Sequence, residues 1–189
     1  MVDLDQQLMG LVRAGDRAAF SQLFEKFKGP IMSYQKSWVQ DSNTAEELCQ
    51  ETFLKVYRAR ESWTPQAKFS TWLWTIARHT ALDHLRKKKE VLVFDSSDGD
   101  TSAPSVWETL ESPLSNAETL LIESLEEQRI QNCMASLSLS EREILGLRIF
   151  SELSYEEIAQ QLGAPIGTVK TMIYRAKQKL MESFRKEER

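Results

Sequence analysis

A chain of 189 residues has room for one large domain or two small ones, each able to bury a modest core. Hydrophobic residues at 41% and charged residues at 28%, with only seven glycines and five prolines, exclude collagen-like, disulfide-scaffold and wholly disordered chains and suit a soluble protein built from helices. The formal net charge of −4 argues against a nucleic-acid partner only as an average. The stretch Glu90–Glu127 carries ten acidic residues and no Lys or Arg, and the rest of the chain without it stands at +6.

From Leu4 to about Glu90 apolar residues recur at three- and four-residue spacing, as in Phe20, Leu23, Phe24 and Phe27 and again in Leu48, Phe53, Val56 and Tyr57. This predicts three or four packed helices. Breaks are expected at Gly15-Asp16, Gly29-Pro30, Asp41–Thr44 and Ser62–Gln66, the last before a long helix beginning near Lys68. Phe94–Asn116, rich in Ser, Asp, Thr and Pro, reads as a tether. The boundaries are therefore 1–93 for a first helical domain, 94–116 for an acidic flexible linker and 117–189 for a second. Helices are predicted there at Ala117–Leu137, Ser140–Phe150, Ser154–Leu162 and Thr168–Phe184, with Ser140 and Glu143 as a capping box and Thr168 as an N-cap. The fold class is all-α, two small helical domains joined by a linker.

No run approaches the roughly 18 apolar residues of a membrane span, and Met1–Gly10 lacks a basic-then-apolar signal pattern. A cytoplasmic protein without membrane insertion is expected. Cys49 and Cys133 sit in helical stretches without CxxC spacing, so both read as reduced and half-buried. A zinc site would need Cys49, Cys133, His79 and His84 to converge from scattered positions; no metal, cofactor or catalytic set is expected.

Ser154–Leu180 (SYEEIAQQLGAPIGTVKTMIYRAKQKL) places a short helix, a tight turn and a longer helix in sequence, as a helix-turn-helix does. Ile158 and Leu162 pack the first helix, small Ala159 lets the second approach, and Gly163 supplies the turn. On the last helix Val169, Ile173, Ala176 and Leu180 share one sector, while Lys170, Thr171, Tyr174, Arg175 and Lys177 lie opposite. That outward face can enter a major groove, with Thr168 at the helix start.

Two further segments carry chemistry. In Ala45–Ala59 (AEELCQETFLKVYRA) the residues Glu46, Glu47, Gln50 and Glu51 form an acidic, hydrogen-bonding surface suited to a basic protein partner. In Lys68–Lys89 (KFSTWLWTIARHTALDHLRKKK) aromatics stand beside Lys68, Arg78 and the run from Arg86, with Trp63 in the preceding loop. Aromatics beside cations suit unstacked bases, each worth about 1–3 kcal/mol. Trp72 follows core spacing with Leu73 and Ile76, so it is assigned to packing. Trp63, Lys68 and Arg78 are the candidates for a melted strand, and Arg86 and Lys87 for phosphate.

These three segments, in this order and spacing, resemble the extracytoplasmic-function sigma factors of the sigma-70 family. The resemblance implies that Ala45–Ala59 is the polymerase-binding helix of region 2, with Glu47, Gln50 and Glu51 against the β′ clamp of core RNA polymerase. It implies that Lys68–Lys89 melts and reads the minus-10 element, and that Leu137–Leu180 is region 4, reading the minus-35 element of promoter DNA. It further implies an anti-sigma protein, and a linker threading the positively charged channel used by RNA, where Asp95, Asp98 and Asp100 would mimic a nucleic-acid backbone. The chain departs from the family at His79, where Asn is common, and at Met172, where a basic residue is frequent. A stand-alone helix-turn-helix regulator is the alternative; it would bind its duplex site alone as a symmetric dimer. A nucleic-acid-processing enzyme would need a phosphate loop or metal-ligand spacing that the chain lacks, and a pure protein-interaction module would lack salt-sensitive DNA binding.

Overall fold

The computed structural model describes residues 3–39, 41–65, 68–95, 129–130 and 132–187. Most of the linker expected over 94–116, the greater part of the helix expected at Ala117–Leu137, and the side chain of Lys89 lie outside the described residues. Every regular element among the described residues is helical.

Helix α1 (Leu4–Arg13) starts at Asp3, whose carboxylate accepts the Asp5 N–H, and ends before Gly15, which takes φ +95° where a side chain would be strained. Helix α2 (Arg17–Val39) follows, with the Asp16 carboxylate accepting the Ala18 N–H at 2.8 Å. The break expected at Gly29-Pro30 is absent, because α2 continues through Pro30. A proline removes one backbone donor and crowds the preceding turn. Phe27, Ile31, Tyr34 and Trp38 nevertheless run along one buried stripe across it, and burying such side chains, at roughly 1.5–3 kcal/mol each, outweighs the loss. Helix α3 (Ser42–Arg58) is capped by Asp41, which accepts the Thr44 N–H at 2.7 Å. Hydrogen bonding to the Thr44 side chain, and then to its N–H, holds the Asp41 carboxyl below its usual pKa.

A short 3-10 turn (Arg60–Ser62) leads to helix α4 (Phe69–Asp95), which starts where expected and runs two residues into the segment assigned to the linker. Gln35 of α2 donates to the Ala77 carbonyl of α4 at 3.1 Å and to Thr52 of α3 at 3.3 Å, so one buried amide ties three helices. Around it Tyr34 meets Trp74 and Trp38 edge-on, with ring centres 5.3 and 5.8 Å apart. Trp74 is 1% exposed and Trp72 only partly buried. Trp72 packs against this core from its edge, as expected, and Trp74 lies within it. Cys49 and Cys133 are free thiols, buried more fully than expected, and burial pushes the Cys49 thiol up to about 11.

The second half comprises residues 132–135, which are helical, then α5 (Leu139–Phe150), α6 (Tyr155–Leu162) and α7 (Ile166–Glu187). The capping box of α5 is Ser138 with Glu141, not Ser140 with Glu143. Ser138 sits in extended backbone and so can aim its hydroxyl at the Glu141 N–H, whereas Ser140 lies inside the first turn. A second capping box, Ser154 with Glu157, starts α6.

The halves do not stand apart. One apolar core runs from Tyr34, Phe69 and Trp74 through Ile144, Leu147 and Leu153 to Ile158, Val169 and Ile173. Gly146 of α5 lies against Tyr34, and a Cβ there would come within 2.9 Å of the ring, so the two helices meet at close range only because no side chain intervenes.

Candidate nucleic-acid interface

Gly163 ends α6 at φ +61°, and the Ala164 N–H reaches back to the Ala159 carbonyl at 3.0 Å. This left-handed cap turns the chain sharply, and α7 starts at Ile166, two residues earlier than expected, with the Val169 N–H bonded to the Pro165 carbonyl at 3.1 Å. Thr168 is accordingly an exposed first-turn residue and not the N-cap. Fixed φ at Pro165 presets the turn and lets the helix begin sooner.

Val169, Ile173 and Ala176 are buried and Leu180 is partly buried, while Lys170, Thr171, Tyr174, Arg175 and Lys177 are exposed. Tyr174 is 65% exposed, which an aromatic tolerates more readily when a partner will cover it. Met172 is partly buried at the edge of the packed sector. Behind this face, Tyr155 of α6 takes two cations: Arg148 at 5.0 Å and Lys170 at 5.8 Å from the ring centre. Glu141 at the start of α5 pairs with Lys179 at 2.6 Å, and the Lys179 hydrogen bond holds its carboxyl below the usual range. The reading helix is thereby tied near its start, at Lys170, and again well along its length, at Lys179.

The first half presents the other candidates. Glu47, Gln50 and Glu51 are exposed together along α3, Glu51 pairing with Lys55 at 2.9 Å. Beside them an open groove of about 530 Å³ runs between α2 and α3, lined by Phe20, Phe24, Phe53, Leu54 and Tyr57 with Gln50 at its rim. Leu54 is 46% exposed. Sequence reasoning missed this groove; its signal was Leu54, an apolar residue on the polar side of the helix.

On α4, His79, Arg86 and Lys87 are exposed, Arg86 pairing with Asp83 at 3.2 Å. Trp63 departs from its expected role: it is 1% exposed and part of the core, as its apolar bulk dictates, in a loop whose preceding turn packs against α1 and α3. Lys68 and Arg78 are engaged by the second half of the chain. Lys68 pairs with Glu157 of α6 at 2.8 Å, and Arg78 donates its Nε–H to Glu143 of α5. Burial alone would raise the Glu157 carboxyl, but hydrogen bonds from Lys68 and Ser154 outweigh it and hold the group below its usual value.

Comparison with known proteins identifies the family. Residues 23–91 match the family described as Sigma-70 region 2, and residues 127–180 match Sigma-70, region 4. The chain is 35% identical over 182 residues to the RNA polymerase sigma-H factor of Pseudomonas aeruginosa, covering 92% of this chain and 90% of that one. It is 33% identical over 176 residues to the ECF RNA polymerase sigma-E factor of Salmonella typhimurium, covering 92% and 91%. Among solved structures, the sigma factor RpoE of Bartonella quintana, in complex with the anti-sigma factor NepR, has the same fold at a TM-score of 0.66 and 23% identity, covering 88% of this chain and 96% of that one.

Proposed function

The chain belongs to the extracytoplasmic-function RNA polymerase sigma factors, and from that premise we propose how its surfaces divide the work. It joins core RNA polymerase and directs promoter-specific initiation, without catalysis of its own. The outward face of α7 reads the minus-35 element. Arg175, Lys170 and Tyr174 reach base edges and phosphate in the major groove, supported by Thr168, Thr171 and Lys177. One observation carries this reading: five polar or basic side chains stand exposed on a helix whose opposite sector is buried and whose entry is fixed by a left-handed glycine.

The α3 face holds the polymerase. Glu47, Gln50 and Glu51 supply charge and hydrogen bonds to the β′ clamp, and the groove at Leu54 supplies an apolar seat beside them. Lys68, Arg78 and His79 take the opened minus-10 strand, with Arg86 and Lys87 on phosphate; Trp63 supports this loop from inside. The work is done in the cytoplasm, where polymerase and promoter are. Among the described residues no helix is long and apolar enough to cross a membrane. An anti-sigma protein covering these surfaces is part of the proposal, supported by the complex of the Bartonella quintana relative.

The test is run-off transcription on genomic fragments with purified core polymerase, with and without the chain. Specific transcripts dependent on the chain are expected. The division of labour is tested by Arg175→Ala, which should weaken use of the upstream element about 10- to 100-fold, the equivalent of roughly 1–3 kcal/mol for a lost base contact, and leave core binding intact. Equal loss of core binding would refute it. A stand-alone regulator would instead bind duplex DNA symmetrically without polymerase.

A further inference from the structure

The polymerase-facing helix α3 and the phosphate-facing helix α4 are tied by one cation. Lys55 of α3 pairs with Glu51 at 2.9 Å and donates to the Thr80 hydroxyl of α4 at 3.2 Å. Thr80 is buried and spends its own hydroxyl hydrogen on the Ile76 carbonyl at 2.9 Å, so its lone pair is left to hold the ammonium where the helices meet. Asp83 Oδ2 stands 3.9 Å from the same ammonium, within Coulombic reach but beyond hydrogen-bond distance. The other oxygen of Asp83, Oδ1, accepts from Arg86 at 3.2 Å.

Glu51, Lys55, Asp83 and Arg86 therefore form a chain of alternating charge. Its ends belong to surfaces assigned to different partners, Glu51 to polymerase and Arg86 to phosphate. The sharing is uneven: Lys55 serves Glu51 fully and Asp83 poorly, which leaves Asp83 to hold Arg86. A cation brought to Glu51 competes for that carboxylate. Lys55, still held at Thr80, then needs to move its Nζ by only about 1 Å to come within hydrogen-bond distance of Asp83. Once Lys55 neutralises Asp83, the pull on Arg86 falls and the two cations repel, so the guanidinium is released to phosphate. Linkage makes the effect reciprocal: a phosphate that takes Arg86 leaves Asp83 to Lys55, and Glu51 to polymerase.

We propose that Lys55 is a positioning residue that couples the two surfaces, turning engagement of Glu51 into release of Arg86. This rests on the assignment of Glu51 to polymerase and of Arg86 to phosphate. The four side chains are 35% to 70% exposed. Exposed pairs are individually weak and screened by salt, so the coupling amounts to about two- to fivefold in affinity at low ionic strength.

Glu51→Gln stands in for the arriving cation, because it removes the charge that holds Lys55 away from Asp83. The coupling can then be read in the full-length chain without polymerase. The probe is a random-sequence 12-nucleotide single-stranded DNA, titrated against the Arg86 Nε–H resonance, which is assigned by its loss in Arg86→Lys. Reading at Arg86 itself keeps phosphate binding elsewhere on the chain out of the measurement.

Glu51→Gln should tighten binding at Arg86 about two- to fivefold. Glu47→Gln, the same charge change one turn earlier on the exposed face, should leave it unchanged. In a Lys55→Met background the Glu51→Gln gain should vanish, because no cation is left to transfer. Asp83→Asn, which leaves Lys55 in place, frees Arg86 outright, and adding Glu51→Gln to it should bring no further gain. No gain from Glu51→Gln in the otherwise native chain, an equal gain from Glu47→Gln, or a gain that persists with Lys55→Met or Asp83→Asn would overturn the proposal. Run-off transcription by the wild-type chain separately tests its function as a sigma factor, so either reading can fail alone.

Discussion

Glu152, in the turn between α5 and α6, holds φ at +56°, a left-handed conformation that costs a residue with a Cβ about 1 kcal/mol. Its exposed side chain gives nothing back that the described contacts record. Glu152→Gly should therefore stabilise the chain by somewhat less than 1 kcal/mol, since glycine returns part of the gain as entropy of the unfolded state; a rise in the urea midpoint at unchanged slope checks this. Glu157 is the opposite case, a side chain with several partners. Its folded pKa lies below the ordinary 4.5, so its contribution is present above that value and is lost as pH falls through the lowered folded one. Wild type should exceed Glu157→Gln in stability at pH 7, and the gap should close under acid, measured as the difference in urea midpoint at pH 7 and at about pH 3. A gap independent of pH would show that packing and not charge holds Glu157. Neither residue's role was legible in the sequence, because a positive φ and a partner across the molecule are properties of the folded backbone.

At the scale of the element, local rules carried furthest where a helix end is set by its own neighbours. The helix-turn-helix was legible because Gly163, Pro165 and the apolar sector at Val169, Ile173, Ala176 and Leu180 all lie within one stretch of eighteen residues. The expected break at Gly29-Pro30 failed because a buried stripe on both sides overrides a local breaker, and the α5 cap was misplaced by two residues because several serines compete for it. Trp63 was assigned to DNA from its company of cations, yet its surface area fixed it inside. The turn at Gly163 also yields a clean measurement. A Cβ there meets nothing within 4 Å, so the cost of Gly163→Ala is backbone strain alone. A loss of about 1–2 kcal/mol in stability is expected, without a steric clash. Because the exposed face of α7 is untouched, the upstream promoter element should still be used at temperatures where the variant is folded. Failure of promoter use in a fully folded variant would mean that the turn sets the angle of the reading helix as well as its stability.

At the scale of the molecule, the sequence divides the chain in two and the structure joins the pieces. The division followed from the acidic, aperiodic stretch beginning near Phe94. The joining depends on Gly146, Tyr34, Glu143 and Glu157, which are far apart in sequence and individually ordinary, so no window of local pattern contains it. A shared core has a thermodynamic signature that two tethered domains lack. Tyr34 and Trp74 pack in continuity with Ile144, Leu147 and Ile158; unfolding either half exposes part of the other's core, which couples their equilibria. The chain should therefore melt in one cooperative transition, with calorimetric and van't Hoff enthalpies equal. Gly146→Leu removes the coupling while leaving each half its own packing: α1 to α4 around Gln35, and α5 to α7 around Ile158. That variant should melt in two resolved steps whose combined enthalpy falls short of the wild-type value by the contribution of the lost seam. Two steps in the wild-type chain at low salt would show that the docked interface is too weak to link the halves, and a single step in Gly146→Leu would show that the link runs through contacts other than the α2–α5 crossing.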